Sequence, residues 1–285
     1  MPRAERAPGG KVLLSEHDVS GLYVAAAEPA EDPAVGRRPR PPLLLIHGAT
    51  HGAWCWERWL PALAGRGWPA YALSLRNHPG SRAVDEATYC TGLSLAHYLD
   101  DVAAVAEWVG RRLPGRSCVP VGHSMGGILA QLLAERQARR EAPVRAAILL
   151  ASVPPRPLGP LRERPVPLTK PYLPAAARPG AALPDDPVQA GILRRMVPES
   201  PAVMNEYSLG PGVPVERALL TCPLLVVSAE RDNTIVPRDR RIADHYGADY
   251  LFAEGIGHAM MLEPGWEPLL DRILAWLAER IADPR

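Results

Sequence analysis

VGHSMGG, residues 121–127, lies where the apolar run CVPVG (118–122) gives way to ILAQLLAERQ (128–137), whose apolar residues recur at helical spacing. A strand that passes into a helix through so short a connection makes a sharp turn, and Ser124 stands at its apex. Gly122 and Gly126, two positions to either side, carry no Cβ and let the two elements close on each other. The turn lifts the Ser124 hydroxyl clear of the sheet, beside the free N–H groups that begin the helix. The motif predicts a nucleophilic serine, against the plainer reading of a turn serine.

Outward from this turn, short apolar runs alternate with longer segments of helical periodicity. LLLIH (43–47), AYALS (70–74), CVPVG (118–122), AAILLA (146–151), LLVVSA (224–229) and DYLFA (249–253) read as buried strands, and residues 11–15 and 21–26 as an N-terminal hairpin. Leu95, Tyr98, Leu99, Val102, Val105 and Val109 mark a helix over 95–112, and others follow at 124–138, 238–246 and 266–282. Strands of this kind separated by helices predict an α/β protein, its mostly parallel sheet covered by helices on both faces. EPAEDPAVGRRPRPP (28–42) reads as an exposed connection. Residues 153–217 break the rhythm: they are proline-rich, hold no strand, and far exceed the few residues that an α/β connection needs. Apolar side chains such as Tyr172, Ile192, Met204 and Tyr207 suggest short helices that lie over a core domain formed by 1–152 and 218–285.

A nucleophilic serine needs a base, and the base an orienting acid. Of eight histidines, His258 stands in GIGHAMMLEP (255–264), between the last strand and the closing helix. That is the carboxyl end of a strand, where open α/β sheets carry their active sites. His47 and His123 flank glycines at strand ends and read as structural. His17, His51, His78, His97 and His245 have no comparable placement, and no pair has metal-ligand spacing with a suitable third ligand. SAERDNTIVP (228–237) offers two acids at another carboxyl end; Asp232 is favoured and Glu230 is the reserve. HGATHGAWCW (47–56) leaves its strand through a glycine turn. The N–H of Ala49 in this loop and that of Met125 after the serine would form the donor pair that an oxyanion needs. Trp54, Trp56 and Trp59 read chiefly as packing residues.

Composition sets the outer limits. The chain has 285 residues, 47% of them apolar and 22% charged, enough for a sizeable core in one large domain or two small ones. Thirty-three prolines and 24 glycines make it loop-punctuated without reaching low complexity. With 32 Lys and Arg against 31 Asp and Glu, no net field favours nucleic acid or an anionic membrane. Four cysteines without a CxxC pair indicate neither a zinc site nor a disulfide framework. There is no signal-peptide core and no apolar run of membrane-spanning length, so a cytoplasmic protein acting on a small molecule is expected.

With these segments in place, the sequence resembles the α/β-hydrolase superfamily over nearly its whole length. The resemblance is carried by LLLIHGATHGAWCW, AYALSLRNHPGS, VGHSMGG, SAERDNTIVP and GIGHAMMLE. HGATHGAWCW looks like the branch that holds small methyl-ester esterases and hydroxynitrile lyases. The resemblance implies the α/β-hydrolase fold: an eight-stranded, mostly parallel sheet with a helical cap inserted after the sixth strand. It implies Ser124 as nucleophile, Asp232 as orienting acid and His258 as base, in the family's chain order, with Ala49 and Met125 as oxyanion donors and no cofactor. Serine at position 124, in place of aspartate, speaks against dehalogenase or epoxide-hydrolase chemistry. The loop LRNHPGS departs from many relatives, which carry glycine at the positions of Asn77 and Pro79, near the pocket floor. The expected activity is hydrolysis of a carboxylic ester or thioester of a small to medium, largely apolar molecule through an acyl-enzyme. Alternatives are a lyase, cyclase or acyltransferase with the same triad, or a ligand-binding protein with little turnover.

Overall fold

Leu43 and Leu45 pack beneath one face of the sheet and Leu44 and Ile46 beneath the other, although their strand is apolar throughout. The two-residue period of a strand thus divides continuous apolar runs between two separate cores. The structure, a computed structural model, describes residues 3–7, 9–30, 39–234 and 238–282. Of the connection expected at 28–42, residues 31–38 lie outside the described residues.

The chain opens with three antiparallel strands, β1 (Arg3–Ala7), β2 (Gly10–Val19) and β3 (Leu22–Pro29). There follow β4 (Leu43–Ile46), helix α1 (Trp59–Gly65), β5 (Ala70–Leu73), α2 (Leu95–Arg112), β6 (Val119–His123), α3 (Met125–Arg139) and β7 (Ala147–Leu150). After a long insertion come β8 (Leu224–Ala229), α6 (Arg238–Tyr246), β9 (Asp249–Ala253) and α7 (Trp266–Ala282). The strands form one open sheet in the order β1-β2-β3-β5-β4-β6-β7-β8-β9, parallel from β5 to β9. Helices α1 and α7 cover one face, with Trp59, Leu63, Leu270 and Ile273 in its core. Helices α2, α3 and α6 cover the other, with Tyr98, Val105, Leu129 and Ile242.

Nine strands replace the expected eight. The additional one, RAERA at β1, is an edge strand of exposed and half-exposed residues and lacks the apolar alternation that marks a strand in sequence. The hairpin strands also run longer than expected: β2 continues to Val19 and β3 to Pro29, in register pairs that run from Val19 with Leu22 to Val12 with Pro29.

The insertion between β7 and β8 contains α4 (Pro187–Arg195) and α5 (Pro201–Ser208). Both obey the same local rule. Asp186 and Ser200 cap them by accepting bonds from backbone N–H groups, and a proline occupies the first turn, where its missing N–H costs nothing. Some of the segment's prolines are therefore helix starts. Among the described residues, no helix is long and apolar enough to cross a membrane.

The sheet order sets the site. From β4 the chain moves to β5 on one side and then returns to β6 on the other, so the connections diverge beyond the carboxyl ends of β4 and β6. Such a reversal leaves a crevice between the two strand ends. Ile46 pairs with Gly122 there, so the loop after β4 and the turn after β6 emerge side by side.

Candidate active site

Ser124 sits in this crevice at φ 54° and ψ −117°, a conformation that costs an L-residue about 1–3 kcal/mol. Its N–H donates to Leu150 O (2.9 Å), and its C=O accepts from Gly127 (2.9 Å) and Val153 (3.0 Å). These bonds, two of them to the end of β7 and the residues just after it, hold the strained turn. The glycines explain themselves by contact: a Cβ at Gly122 would lie 2.1 Å from Gly126 O, and one at Gly126 2.2 Å from Ile46 O. Helix α3 begins at Met125, one residue later than expected, because residue 124 has left helical φ/ψ. The Met125 N–H belongs to the first turn, which has no intrahelical acceptors.

His258 lies in the loop after β9, and its Nδ1 meets Asp232 Oδ2 at 2.8 Å. The Asp232 side chain is fully buried and that of His258 is 24% exposed. Asp232 Oδ1 also accepts from the Thr234 N–H (2.7 Å). Glu230 faces another way, accepting from the Gly255 N–H at an exposed position. The acid and base loops are tied by Arg231 N–H donating to Ile256 O (2.8 Å). The base loop is in turn fastened to the serine turn: His123 Nε2 donates to His258 O (2.9 Å), and the two rings lie 4.7 Å apart.

The loop after β4 passes so close to Ser124 that a Cβ at Gly48 would stand 2.9 Å from the Ser124 Cβ. The next residue is Ala49, whose N–H donates to no acceptor among the described residues. Its carbonyl accepts from Thr50 Oγ1 (2.6 Å) and His51 Nδ1 (2.7 Å). Burial keeps His47 neutral, its pKa well below the usual value; its Nδ1–H donates to Gly48 O (2.8 Å) and its Nε2 accepts from Leu75 N–H (3.1 Å). Trp56 and Trp59 are buried with ring centroids 5.6 Å apart. Trp54 instead lies between the His51 ring (5.2 Å) and the Arg195 guanidinium of α4 (4.3 Å). Ala49, Ser124 and Met125 thus stand side by side beyond the ends of β4 and β6, and the His258–Asp232 pair is tied to them through His123. A serine on a strained turn, an imidazole held by a buried carboxylate and two free N–H groups suit acyl transfer. Among the described residues no group of three or more His, Cys, Asp or Glu side chains is arranged to hold a metal ion.

The sequence carried no signal for a second cluster beside this site. Glu199, at the start of α5, is fully buried. One of its oxygens accepts from Tyr98 OH (2.6 Å), Ser200 N–H (2.8 Å) and Tyr89 OH (3.4 Å). The other meets His78 Nε2 (3.1 Å) and Thr50 N–H (3.3 Å). His78 Nδ1 faces Arg76 O (3.0 Å), so both ring nitrogens face acceptors, an arrangement that favours the imidazolium. Burial opposes both charges, yet the Glu199 charge and hydrogen bond raise the His78 pKa. The same pair, with Tyr98 and the Ser200 N–H, brings Glu199 down to about 2.

This pair predicts a stability window. The depressed carboxylate contributes above its unfolded value near 4.5 and loses that contribution as pH falls toward about 2. The raised imidazole contributes fully below its unfolded value of 6.5 and loses its share as pH rises through the folded value. Replacing both groups (Glu199→Met with His78→Phe) removes the linkage while filling the core. The difference in urea midpoint between wild type and this variant should peak between pH 4.5 and 6.5. A pH-independent difference would show that the pair is not charged.

The sequence matches the alpha/beta hydrolase family over residues 43–267. Esterase PIR7B from Oryza sativa subsp. japonica is 39% identical over 115 residues, which make up 39% of this chain and 38% of that protein. Norfluorocurarine synthase 1 from a Strychnos species is 31% identical over 118 residues, 41% of this chain and 40% of that protein. The chain therefore aligns with less than half the length of the curated relatives it matches. The solved thioesterase domain from the curacin biosynthetic pathway has a TM-score of 0.62 at 18% identity, covering 92% of this chain and 99% of that one, a likeness of fold.

Proposed function

Because the chain belongs to the alpha/beta hydrolase family, we propose that it is a serine hydrolase acting on a carboxylic ester or thioester of a small to medium, largely apolar molecule. The observation that carries this reading is the 2.8 Å contact of His258 with buried Asp232, on a loop fastened through His123 to the strained Ser124 turn. With Nδ1–H donating to Asp232, His258 offers Nε2 as the base. Ser124 Oγ attacks the acyl carbon as Nε2 takes its proton, and the N–H groups of Ala49 and Met125 receive the charge on the carbonyl oxygen. Nε2 then protonates the leaving alcohol or thiol. Water, deprotonated by His258 in turn, releases the acid from the acyl-enzyme. Residues 153–217 act as a cap whose side chains keep water out and shape the pocket. The esterase-named relative supports ester chemistry.

The relative named norfluorocurarine synthase 1 supports a second reading, in which the same groups serve a non-hydrolytic reaction. Burst kinetics with p-nitrophenyl acetate, butyrate and octanoate in ¹⁸O-water, alongside fluorophosphonate labelling, separates the two. Hydrolysis predicts a burst, a covalent adduct on Ser124 and ¹⁸O in the released acid. An adduct on Ser124 without ester turnover would favour the second reading. The absence of both adduct and turnover would overturn the site.

A further inference from the structure

We infer that Glu199, from the insertion, is a positioning residue for the oxyanion hole. It holds the Thr50 backbone and thereby sets the direction of the neighbouring Ala49 N–H. The inference rests on the serine-hydrolase reading for its kinetic consequence, and on geometry alone for the clamp.

Thr50 has a φ of 65°, the left-handed region that a β-branched residue strongly disfavours, so something must hold it there. The insertion does so from both sides of the residue. Thr50 N–H donates to Glu199 Oε2 (3.3 Å), and Thr50 C=O accepts from Val197 N–H (2.9 Å). Held in this way, Thr50 places its hydroxyl on the Ala49 carbonyl, which also accepts from His51 Nδ1. With that carbonyl fixed on one side and Gly48 pressed against Ser124 on the other, little freedom remains for the Ala49 N–H.

Glu199 is suited to this work because every partner it has is a donor: Tyr98, Tyr89, Ser200, His78 and Thr50. A carboxylate accepts at both oxygens and can satisfy them together, whereas a carboxamide would turn a donor against one of the two backbone N–H groups. His78 balances the buried charge, and Tyr98 from α2 sets the carboxylate's orientation. A segment far along the chain thus completes the geometry of a donor that the loop after β4 carries.

The test uses the full chain with p-nitrophenyl butyrate, a trifluoromethyl ketone of matching length whose hydrate-derived or serine adduct carries an oxyanion, and amide exchange over residues 47–56. In Glu199→Met with His78→Phe, we expect kcat to fall by about 10- to 100-fold with KM changed less than about threefold. This is milder than deleting an oxyanion donor, since the donor is misaimed and not removed. Ketone affinity should fall in parallel, and exchange over 47–56 should accelerate. Tyr98→Phe leaves the core filled and should give the same pattern at roughly two- to fivefold. Asn205→Ala loosens the insertion elsewhere, where Asn205 bonds both the N–H (2.7 Å) and the C=O (2.8 Å) of Val166. It should leave kcat and exchange over 47–56 at wild-type values. An unchanged kcat, a rise confined to KM, or unaltered exchange over 47–56 in the double variant and in Tyr98→Phe would overturn the inference. If the wild type turns over no ester, the hydrolase reading fails by itself, and exchange over 47–56 still decides whether Glu199 holds the loop.

Discussion

Ser124→Ala is expected to lose at least about 10³-fold, and up to about 10⁶-fold, in ester turnover while unfolding at the wild-type urea midpoint. The size of the loss follows from the role. Without Oγ no acyl-enzyme forms, and only binding and the two amides of Ala49 and Met125 remain to assist water. Stability should hold because alanine keeps the Cβ and the strained backbone stays held by Leu150, Gly127 and Val153. No hydrogen bond from the Ser124 hydroxyl joins it to another described residue, so its removal orphans no buried partner, and a change within about 0.5 kcal/mol is expected. Turnover and urea unfolding measured on the same preparation decide the matter. Residual activity above about one tenth of wild type would remove Ser124 from the role of nucleophile.

Asp232→Asn should lower kcat by about 10⁴-fold, the cost of reversing a tautomer. Asparagine fits the space and keeps an oxygen for the Thr234 N–H, now accepted by Asp232 Oδ1 at 2.7 Å. It then turns an NH₂ toward His258 Nδ1. The ring answers by accepting at Nδ1 and carrying its proton on Nε2, where it cannot take the proton of Ser124. A ¹⁵N spectrum of the imidazole would register the switch independently of turnover. Glu230→Gln serves as the control, because that carboxylate caps Gly255 at an exposed position and should change kcat little. If Glu230→Gln proved the more damaging substitution, the acid would be misassigned.

What could be read from sequence was local. The turn at VGHSMGG depends on glycines within two residues of Ser124, and the clashes that a Cβ would meet at Gly122 and Gly126 involve elements that the motif itself joins or the adjacent strand. The alternation of apolar runs and helical stretches was legible for the same reason, since strand and helix periods are properties of neighbouring residues. Where a strand lacks apolar alternation, as β1 does, sequence was silent.

The sequence by itself determined the α/β class, the serine turn, the loop that bears His258 and the pair of acids from which its partner comes. Asp232, favoured over Glu230 in the sequence, meets His258 in the fold, and only tertiary structure shows Glu230 turned away to the Gly255 N–H, because two carboxylates separated by one residue differ in which way the loop turns them. Tertiary structure alone joined Glu199 to Thr50 and His78, residues 149 and 121 positions away. No local pattern announces such a contact, for a buried carboxylate takes its meaning from the donors that the whole fold gathers around it.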